Sequence, residues 1–212
     1  METLPDQTLI KIFSWLSETD LLSLTLTCSR FNDIIGSSSK LLSNFIITLD
    51  NNKPNLKYFG SRKYQRVIWN AKKSHFGEVF DKIGSSVKDL RVNKLCDIKK
   101  FLKVYQKCPN LKKLYVNMIE GNDEVIKEDF ECIPRYFDEL MINQCVNFIG
   151  IFKNSQAKHL AVKHSISRNK IHALRDLIMA QKSMERLDLI MPSNLFRSLF
   201  SSDKFMDVKF KL

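Results

Sequence analysis

The sequence has no long apolar stretch that is free of charged residues. No segment approaches the roughly 18 to 20 uncharged apolar residues that a membrane-spanning helix requires. The first residues, which include Glu2, Pro5 and Asp6, also lack a basic segment followed by an apolar one. We therefore expect no membrane partner and no secretory signal, and we expect the protein in the cytoplasm, the nucleus or both.

Motifs that carry catalytic or redox chemistry are also missing. The five cysteines are odd in number and form no C-x-x-C pair, which argues against a closed disulfide set. The sequence has no G-x-G-x-x-G motif and no P-loop, and His159 and His164 fall on opposite faces of a predicted strand. We predict that the chain is not an enzyme and that it has neither a metal site nor a cofactor.

Positive charge is scarce in the first 50 residues and abundant after them. Residues 1–50 hold three basic and six acidic side chains and carry −3, whereas the whole chain carries +11. The remainder therefore carries +14. A shift of this size predicts a boundary between two modules with different tasks. Residues 36–39, with the sequence GSSS, are the predicted hinge between them.

Two helical patterns occupy the first module. Leu9, Ile12, Phe13 and Leu16 follow the i, i+3, i+4, i+7 spacing of one helix face. A second helix is expected after Ser17, and apolar residues surround its circumference: Leu21, Leu22, Leu24, Leu26 and Cys28. A unit of about forty residues buries little surface. These side chains therefore either await a partner or pack against the rest of this chain, and the pattern leaves both readings open.

A specific series of residues runs through these helices. In chain order it comprises Leu4-Pro5-Asp6, Ile12-Phe13, Leu16-Ser17, Asp20-Leu21, Leu24, Leu26, Cys28 and Arg30-Phe31. The series, within residues 2 to 45, resembles an F-box. The resemblance implies three helices that dock on the Skp adaptor of cullin-RING ubiquitin ligases. The adaptor-facing residues that it implies are Leu4, Pro5, Ile12, Phe13, Leu16, Leu21, Leu22, Leu26, Cys28, Arg30 and Phe31.

Two positions depart from the F-box pattern. Phe31 stands where tryptophan is commoner, and Thr19 stands where proline or a charged residue is frequent. Phenylalanine keeps an aromatic anchor but has no indole N–H, so we expect weaker adaptor binding.

The rest of the chain repeats one apolar pattern. Apolar residues recur as A-x-x-B-x-C, and the B positions from Val67 onward are separated by 23, 24, 26, 20, 27 and 21 residues. All these spacings lie in the range of about 20–29 residues that is typical of leucine-rich repeats. The B positions are Val67, Leu90, Leu114, Leu140, Leu160, Leu187 and Val208.

Helical patterns lie between these predicted strands. Their apolar positions are Phe76/Val79/Phe80/Ile83, Ile98/Phe101/Leu102/Tyr105, Ile126/Phe130/Ile133, Ile171/Leu174/Leu177/Ile178 and Leu195/Phe196/Leu199/Phe200. Short strands that alternate with helices predict an α/β fold with a curved parallel sheet and helices on its convex side. An ordinary α/β domain with evenly spaced strands is the alternative.

The repeats resemble those of the leucine-rich-repeat class of F-box proteins. The segment of residues 107–114, KCPNLKKL, is close to the usual repeat sequence of that class. The predicted domains are an F-box at residues 1–45 and about six to eight degenerate leucine-rich repeats at residues 46–212. The sequence stops at Leu212 inside the last predicted strand, and we expect no carboxyl-terminal cap.

Residues that flank the B positions are predicted to face outward from the concave side of the sheet. The candidate substrate-binding residues there are Arg66, Arg91, Asn93, Lys113, Tyr115, Asn117, Met141 and Asn143. Their charge favours an acidic or phosphorylated protein segment. Asn70, Asn93, Asn117 and Asn143 either form an amide ladder that binds a peptide or merely tolerate the ends of short strands.

The sequence therefore predicts a substrate-recognition adaptor of an SCF (Skp-cullin-F-box) ubiquitin ligase. The F-box docks on the Skp adaptor, and the repeats hold a protein substrate for ubiquitination and proteasomal degradation. The alternative is a non-degradative F-box scaffold or a nucleic-acid-binding repeat protein. Nucleic acid is disfavoured, because Tyr115 is the only aromatic residue predicted on the concave face beside the basic ones.

Overall fold

The computed structural model describes residues 4–50, 62–70, 77–93, 98–117, 135–143, 146–163 and 171–200. Four helices form its amino-terminal part: α1 (Asp6–Phe13), α2 (Glu18–Thr25), α3 (Ser29–Ser37) and α4 (Ser39–Leu42). Ser17 caps α2, because its side chain accepts a hydrogen bond from the backbone N–H of Asp20, and the second helix expected after Ser17 is confirmed.

A parallel sheet follows these helices. Its seven described strands are hydrogen-bonded in the order of the chain, and each pairs in parallel with the next. The strands are β1 (Ile46–Leu49), β2 (Arg66–Trp69), β3 (Asp89–Val92), β4 (Lys113–Val116), β5 (Tyr136–Asn143), β6 (Gln156–Lys163) and β7 (Arg186–Ile190). Parallel neighbours need a crossover between them. Described crossover helices are α5 (Gly77–Ile83), α6 (Ile98–Lys107) and α7 (Ile171–Met179), and α8 (Ser193–Phe200) follows β7.

One face of the sheet is buried against the helices. Alternate strand residues are buried, as β-strand geometry requires when one face is covered. Trp69 on β2 is fully buried, and its ring centroid lies 5.7 Å from that of Phe80 on α5. Tyr105 on α6 likewise contacts Phe137 on β5, with ring centroids 6.5 Å apart. The aromatic residues therefore fill the space between the sheet and the helices.

The strand register agrees with the repeat predicted from the sequence. The B positions lie opposite one another on neighbouring strands: Val67, Leu90, Leu114, Leu140, Leu160 and Leu187. The predicted parallel sheet is confirmed for the described strands, and the residues that flank these positions are also in register across β2 to β7, where they form columns on the other face. Three predictions lie outside the described residues, namely the helix at Ile126/Phe130/Ile133, the strand at Phe205/Val208/Phe210 and the position of His164.

The structure does not fit the hinge predicted at residues 36–39. Gly36 and Ser37 belong to α3, and the side chain of Ser38 accepts a hydrogen bond from Leu41 N–H at the start of α4. The amino-terminal helices and the sheet also share one apolar core. Arg62, just before β2, reinforces this junction because it donates a hydrogen bond to Asn32 on α3. Charge changes at this boundary, but packing continues across it.

Gly84 gives a test of how closely the helices pack. A Cβ atom added there would lie 2.3 Å from the backbone oxygen of Lys107, a contact that only backbone movement can relieve. We expect Gly84→Ala to destabilise the fold by about 1–3 kcal/mol. Gly150→Ala is the matched control, because nothing lies within 4 Å of its added Cβ. Urea denaturation measures both variants, and equal stabilities would contradict the close approach.

Candidate docking surfaces

Three of the predicted adaptor-facing residues are buried inside the chain. Phe13, Leu21 and Phe31 are 3%, 0% and 8% exposed. The rings of Phe13 and Phe31 meet edge to face, with centroids 5.2 Å apart, and so join α1 to α3. Burial places these three side chains in the core of the free chain, and the adaptor-facing role that the F-box resemblance implies for them stays a prediction.

Arg30 is also engaged within the chain. Its guanidinium donates hydrogen bonds to the backbone oxygen of Leu4 at 2.6 Å and to the carboxylate of Asp6 at 2.8 Å. These bonds tie the start of α3 to the start of α1. Leu4, Leu16 and Cys28 are half-buried, so their side chains are only partly available to a partner.

The remaining predicted residues lie at the surface of the same helices. Ile12, Leu22 and Leu26 are 44%, 47% and 87% exposed, and Pro5 is exposed as well. Leu22 and Leu26 are four residues apart, as expected for side chains that share one side of a helical turn. Leu9, Phe13 and Leu21 are thus buried on α1 and α2, whereas Ile12 and Leu22 of the same helices are exposed.

Trp15 is an exposed residue that the sequence prediction did not include. It is 89% exposed, more than any other described large apolar side chain. Trp15 follows α1 in a turn closed by a hydrogen bond from its backbone N–H to the Ile12 carbonyl oxygen at 3.1 Å. Ile12 and Trp15 are three residues apart, a spacing that places both on one helix face, so the sequence held a signal for Trp15. The F-box series includes its neighbours and not this position. We define the apolar patch as Ile12, Trp15, Leu22 and Leu26.

The second candidate surface is the open face of the sheet. Its charged side chains largely neutralise one another. Asp89 lies between Arg66 and Arg91, with nearest charged atoms 3.7 Å apart in each pair. Lys113 pairs with Glu139 on the next strand. Alternating charges on adjacent strands stabilise a sheet weakly and leave few cations unpaired.

Tyr115 sits at the centre of this face. The guanidinium of Arg91 lies 4.7 Å from its ring centroid, and its hydroxyl donates a hydrogen bond to Glu139. Hydrogen bonds from Lys113 and Tyr115 hold the pKa of Glu139 below its usual range. Desolvation, together with that bond to Glu139, raises the pKa of the Tyr115 hydroxyl. The aromatic residue is therefore held in place by its neighbours.

The predicted asparagine ladder exists, and its bonds run between the amides themselves. Asn117 donates to Asn93 at 2.8 Å, Asn93 donates to Asn70, and Asn143 donates to Asn117 at 3.5 Å. Asn70 in turn donates to the carboxylate of Asp50 at 3.1 Å. The ladder therefore links β1 to β5 at their carboxyl ends. These amides have fewer polar groups to offer a peptide than the sequence implied.

A second polar cluster lies at the β6 and β7 end of the open face. The ring of His159 is 2.9 Å from Asp188, and Arg186 donates to the same carboxylate. The bond from Arg186 is the main reason that the pKa of Asp188 is lowered. In the strand register, Met141 and Ala161 lie between Tyr115 and Asp188. Ala161, which lies between Met141 and Asp188 in the register, is buried.

Asp89 predicts a pH dependence of stability. Burial raises the pKa of its carboxyl group despite the nearby arginines, so the folded protein binds this proton more tightly than the unfolded chain. Ionised Asp89 therefore opposes folding at neutral pH. We expect Asp89→Asn to raise the melting temperature at pH 7, and we expect the gain to shrink as the pH falls through the raised pKa and to vanish below 3.8.

Calorimetry across this pH range measures the effect of Asp89→Asn. Asp176→Asn is the charge-matched control, because Asp176 is exposed on α7. A lower melting temperature for Asp89→Asn at pH 7 would show that the pairs with Arg66 and Arg91 outweigh the burial of the carboxylate.

Metal sites and membrane spans are both absent from the described residues. No group of three or more histidine, cysteine, aspartate or glutamate residues in these ranges is placed to hold a metal ion. None of the described helices is both long and apolar enough to cross a membrane.

Taken together, the described part of the chain is a small helical unit with an exposed apolar patch, joined to a mixed α/β unit with a parallel sheet. Residues 1–44 match the family described as F-box-like. The match ends just after α4, before the first strand. A comparison with curated proteins gave no match to the chain. The amino-terminal helices thus form an F-box-like domain, and F-box domains typically bind the Skp adaptor.

Proposed function

We propose that this protein is a substrate-recognition subunit of an SCF-type ubiquitin ligase. Its F-box-like domain docks on the Skp adaptor through the apolar patch, and the sheet carries the surface for a protein substrate. The observation that carries the proposal is that two leucines, an isoleucine and a tryptophan remain exposed in the domain that matches the F-box-like family. Large apolar side chains that are left exposed within one short stretch, here residues 12–26, are typical of a protein interface.

The sheet is proposed to belong to a short leucine-rich-repeat solenoid. Three features support this: strands that pair in chain order, leucine or valine in register at each B position from β2 to β7, and a helix between several successive strands. In such a solenoid each repeat buries its apolar face against its neighbours. The open face is then a platform that no described layer of the chain covers.

The proposed mechanism is one of proximity. The shared core of the helices and the sheet fixes the substrate surface relative to the adaptor. A substrate held there has its lysines at high effective concentration near a ubiquitin-conjugating enzyme, and the chain itself needs no catalytic residues. The partners are therefore the Skp adaptor, through it the cullin-RING ligase, and a protein substrate.

Affinity purification from cells treated with a proteasome inhibitor tests the function. We expect both the Skp adaptor and a cullin to co-purify with the full chain, and we expect both to be lost from a Leu16→Asp, Leu26→Asp double variant. Recovery of the adaptor without any cullin would favour the non-degradative scaffold. Recovery of neither protein would refute the proposal.

A further inference from the structure

A large share of the net positive charge of the described residues lies at one edge of the sheet. All strands of a parallel sheet begin at the same edge, so the residues that lead into them lie side by side. In the described ranges, the lead-in segments are residues 39–45, 62–65, 84–88, 108–112, 135, 153–155 and 180–185. They hold eight basic side chains and one acidic one, Glu185, a net charge of +7.

Six lysines make up the exposed part of this charge. We define the lysine ridge as Lys40, Lys63, Lys88, Lys112, Lys153 and Lys182, which precede β1, β2, β3, β4, β6 and β7. Each is exposed, and none has an ion-pair or side-chain hydrogen-bond partner among the residues that the structure describes. Adjacent strands lie about 4.8 Å apart, so the seven strands spread the ridge over about 29 Å.

The ridge differs from the open face in how its charge is balanced. On the described open face, five basic residues (Arg66, Arg91, Lys113, Lys163 and Arg186) stand against three acidic ones (Asp89, Glu139 and Asp188), a surplus of two. Each of these basic residues except Lys163 forms an ion pair with one of the three carboxylates. Lys88 and Lys112, in contrast, are neighbours across β3 and β4, and the carboxylate that follows Lys112 in the same row, Asp138, pairs with Lys158 at 3.4 Å. Like charges on adjacent strands repel, so this arrangement is mildly unfavourable unless an anion is bound.

We propose that the lysine ridge docks an acidic segment of a protein partner. This inference rests on the proposed function, because it takes the partner to be a protein presented to the ligase. The sequence predicted that an acidic segment binds at Arg66, Arg91 and Lys113 on the open face. The proposed contact is instead at the edge of the sheet. The six exposed basic residues are all lysine, whereas Arg62 and Arg135 are half-buried and turned toward Asn32 and the carbonyls of α6. A nucleic-acid site would favour arginine and a series of exposed aromatic residues. In the described part of this edge Tyr64 is buried, and Tyr136, at 41%, is the one exposed aromatic residue.

Fluorescence anisotropy with a labelled ten-residue polyglutamate peptide tests the proposal on the full chain bound to purified Skp adaptor. We expect Lys88→Gln, Lys112→Gln to weaken peptide binding about fivefold, the loss that two exposed charge contacts produce. The matched control is Lys100→Gln, Lys103→Gln on the exposed side of α6, which removes the same net charge. It is expected to change binding by less than about twofold.

Three results would overturn the proposal. Equal losses from both double variants would mean that binding follows net charge alone. Tighter binding of a 20-nucleotide single-stranded oligonucleotide, lost in the ridge variant, would identify nucleic acid as the partner. Residues 118–134 hold six carboxylates and one lysine. The third result is stronger peptide binding when these carboxylates are changed to amides. It would mean that this segment of the chain itself competes for the ridge.

Adaptor binding is measured separately for every ridge variant and is expected to stay at the wild-type level. If a ridge variant loses peptide binding but still binds the adaptor, the substitution affects the ridge and not the F-box-like domain. If the wild-type chain does not bind the adaptor, the proposed function fails, and the peptide is then titrated against the free chain to judge the ridge.

Discussion

Leu26→Asp is expected to lower the affinity of this protein for purified Skp adaptor by at least about a hundredfold. The side chain is 87% exposed in the free chain, so an interface that covers it would bury a carboxylate without a partner. Burial of an unpaired charge costs several kcal/mol, and about 2.7 kcal/mol corresponds to a hundredfold loss. Isothermal titration calorimetry with the full chain measures this change.

The control for Leu26→Asp is Phe196→Asp. Phe196 is an exposed apolar residue, 44% accessible, on α8 at the far end of the described sheet. We expect this variant to bind the adaptor as the wild type does. A loss of affinity in both variants would indicate a general effect on folding or solubility. Wild-type affinity for Leu26→Asp would remove the apolar patch from the interface.

The second large effect concerns the two tryptophans of the chain. Trp69→Ala is expected to destabilise the fold by about 3–5 kcal/mol, because Trp69 is fully buried against Phe80 and its removal leaves a cavity. Trp15→Ala is the same substitution at a position that is 89% exposed, and we expect it to change stability by less than about 0.5 kcal/mol.

Urea denaturation of the free chain compares these two variants. The pair tests whether the apolar patch is left out of the core, which the proposed function requires. A destabilisation of several kcal/mol by Trp15→Ala would mean that this side chain packs internally, and the patch would then have one anchor fewer.

The sequence predicted the sheet better than it predicted the surfaces. The strand register follows from the repeated apolar spacing, because a shift of one residue would turn Leu90 or Leu114 out of the core. The direction of each outward side chain follows from the same alternation. The parallel order of the strands and the cap at Ser17 were therefore accessible from residue types and spacing.

The burial of individual F-box residues was not accessible in this way. Phe13 and Ile12 are neighbours in one apolar stripe, yet Phe13 is buried and Ile12 is 44% exposed. Which side of the stripe remains uncovered depends on how α1 meets α3, through the contact of Phe13 with Phe31 and the bonds of Arg30. Such contacts join residues far apart in sequence, and helical periodicity carries no information about them.

The pairing of charges on the open face also required the structure. The sequence placed Arg66, Arg91 and Lys113 in outward columns, which the register confirms. Their availability depends on Asp89 and Glu139, whose carboxylates reach them across neighbouring strands. Side-chain reach between strands is set by rotamers, whereas the sequence fixes only which residues are neighbours.

The central claim is that the apolar patch of the F-box-like domain is the surface on which the Skp adaptor docks. Hydrogen–deuterium exchange of the full chain, alone and with purified adaptor, tests this most directly. We expect slower exchange of backbone amides in residues 12–26 when the adaptor is present, and unchanged exchange in β2 to β6. A stable complex without protection in residues 12–26, or the absence of any complex, would contradict the claim.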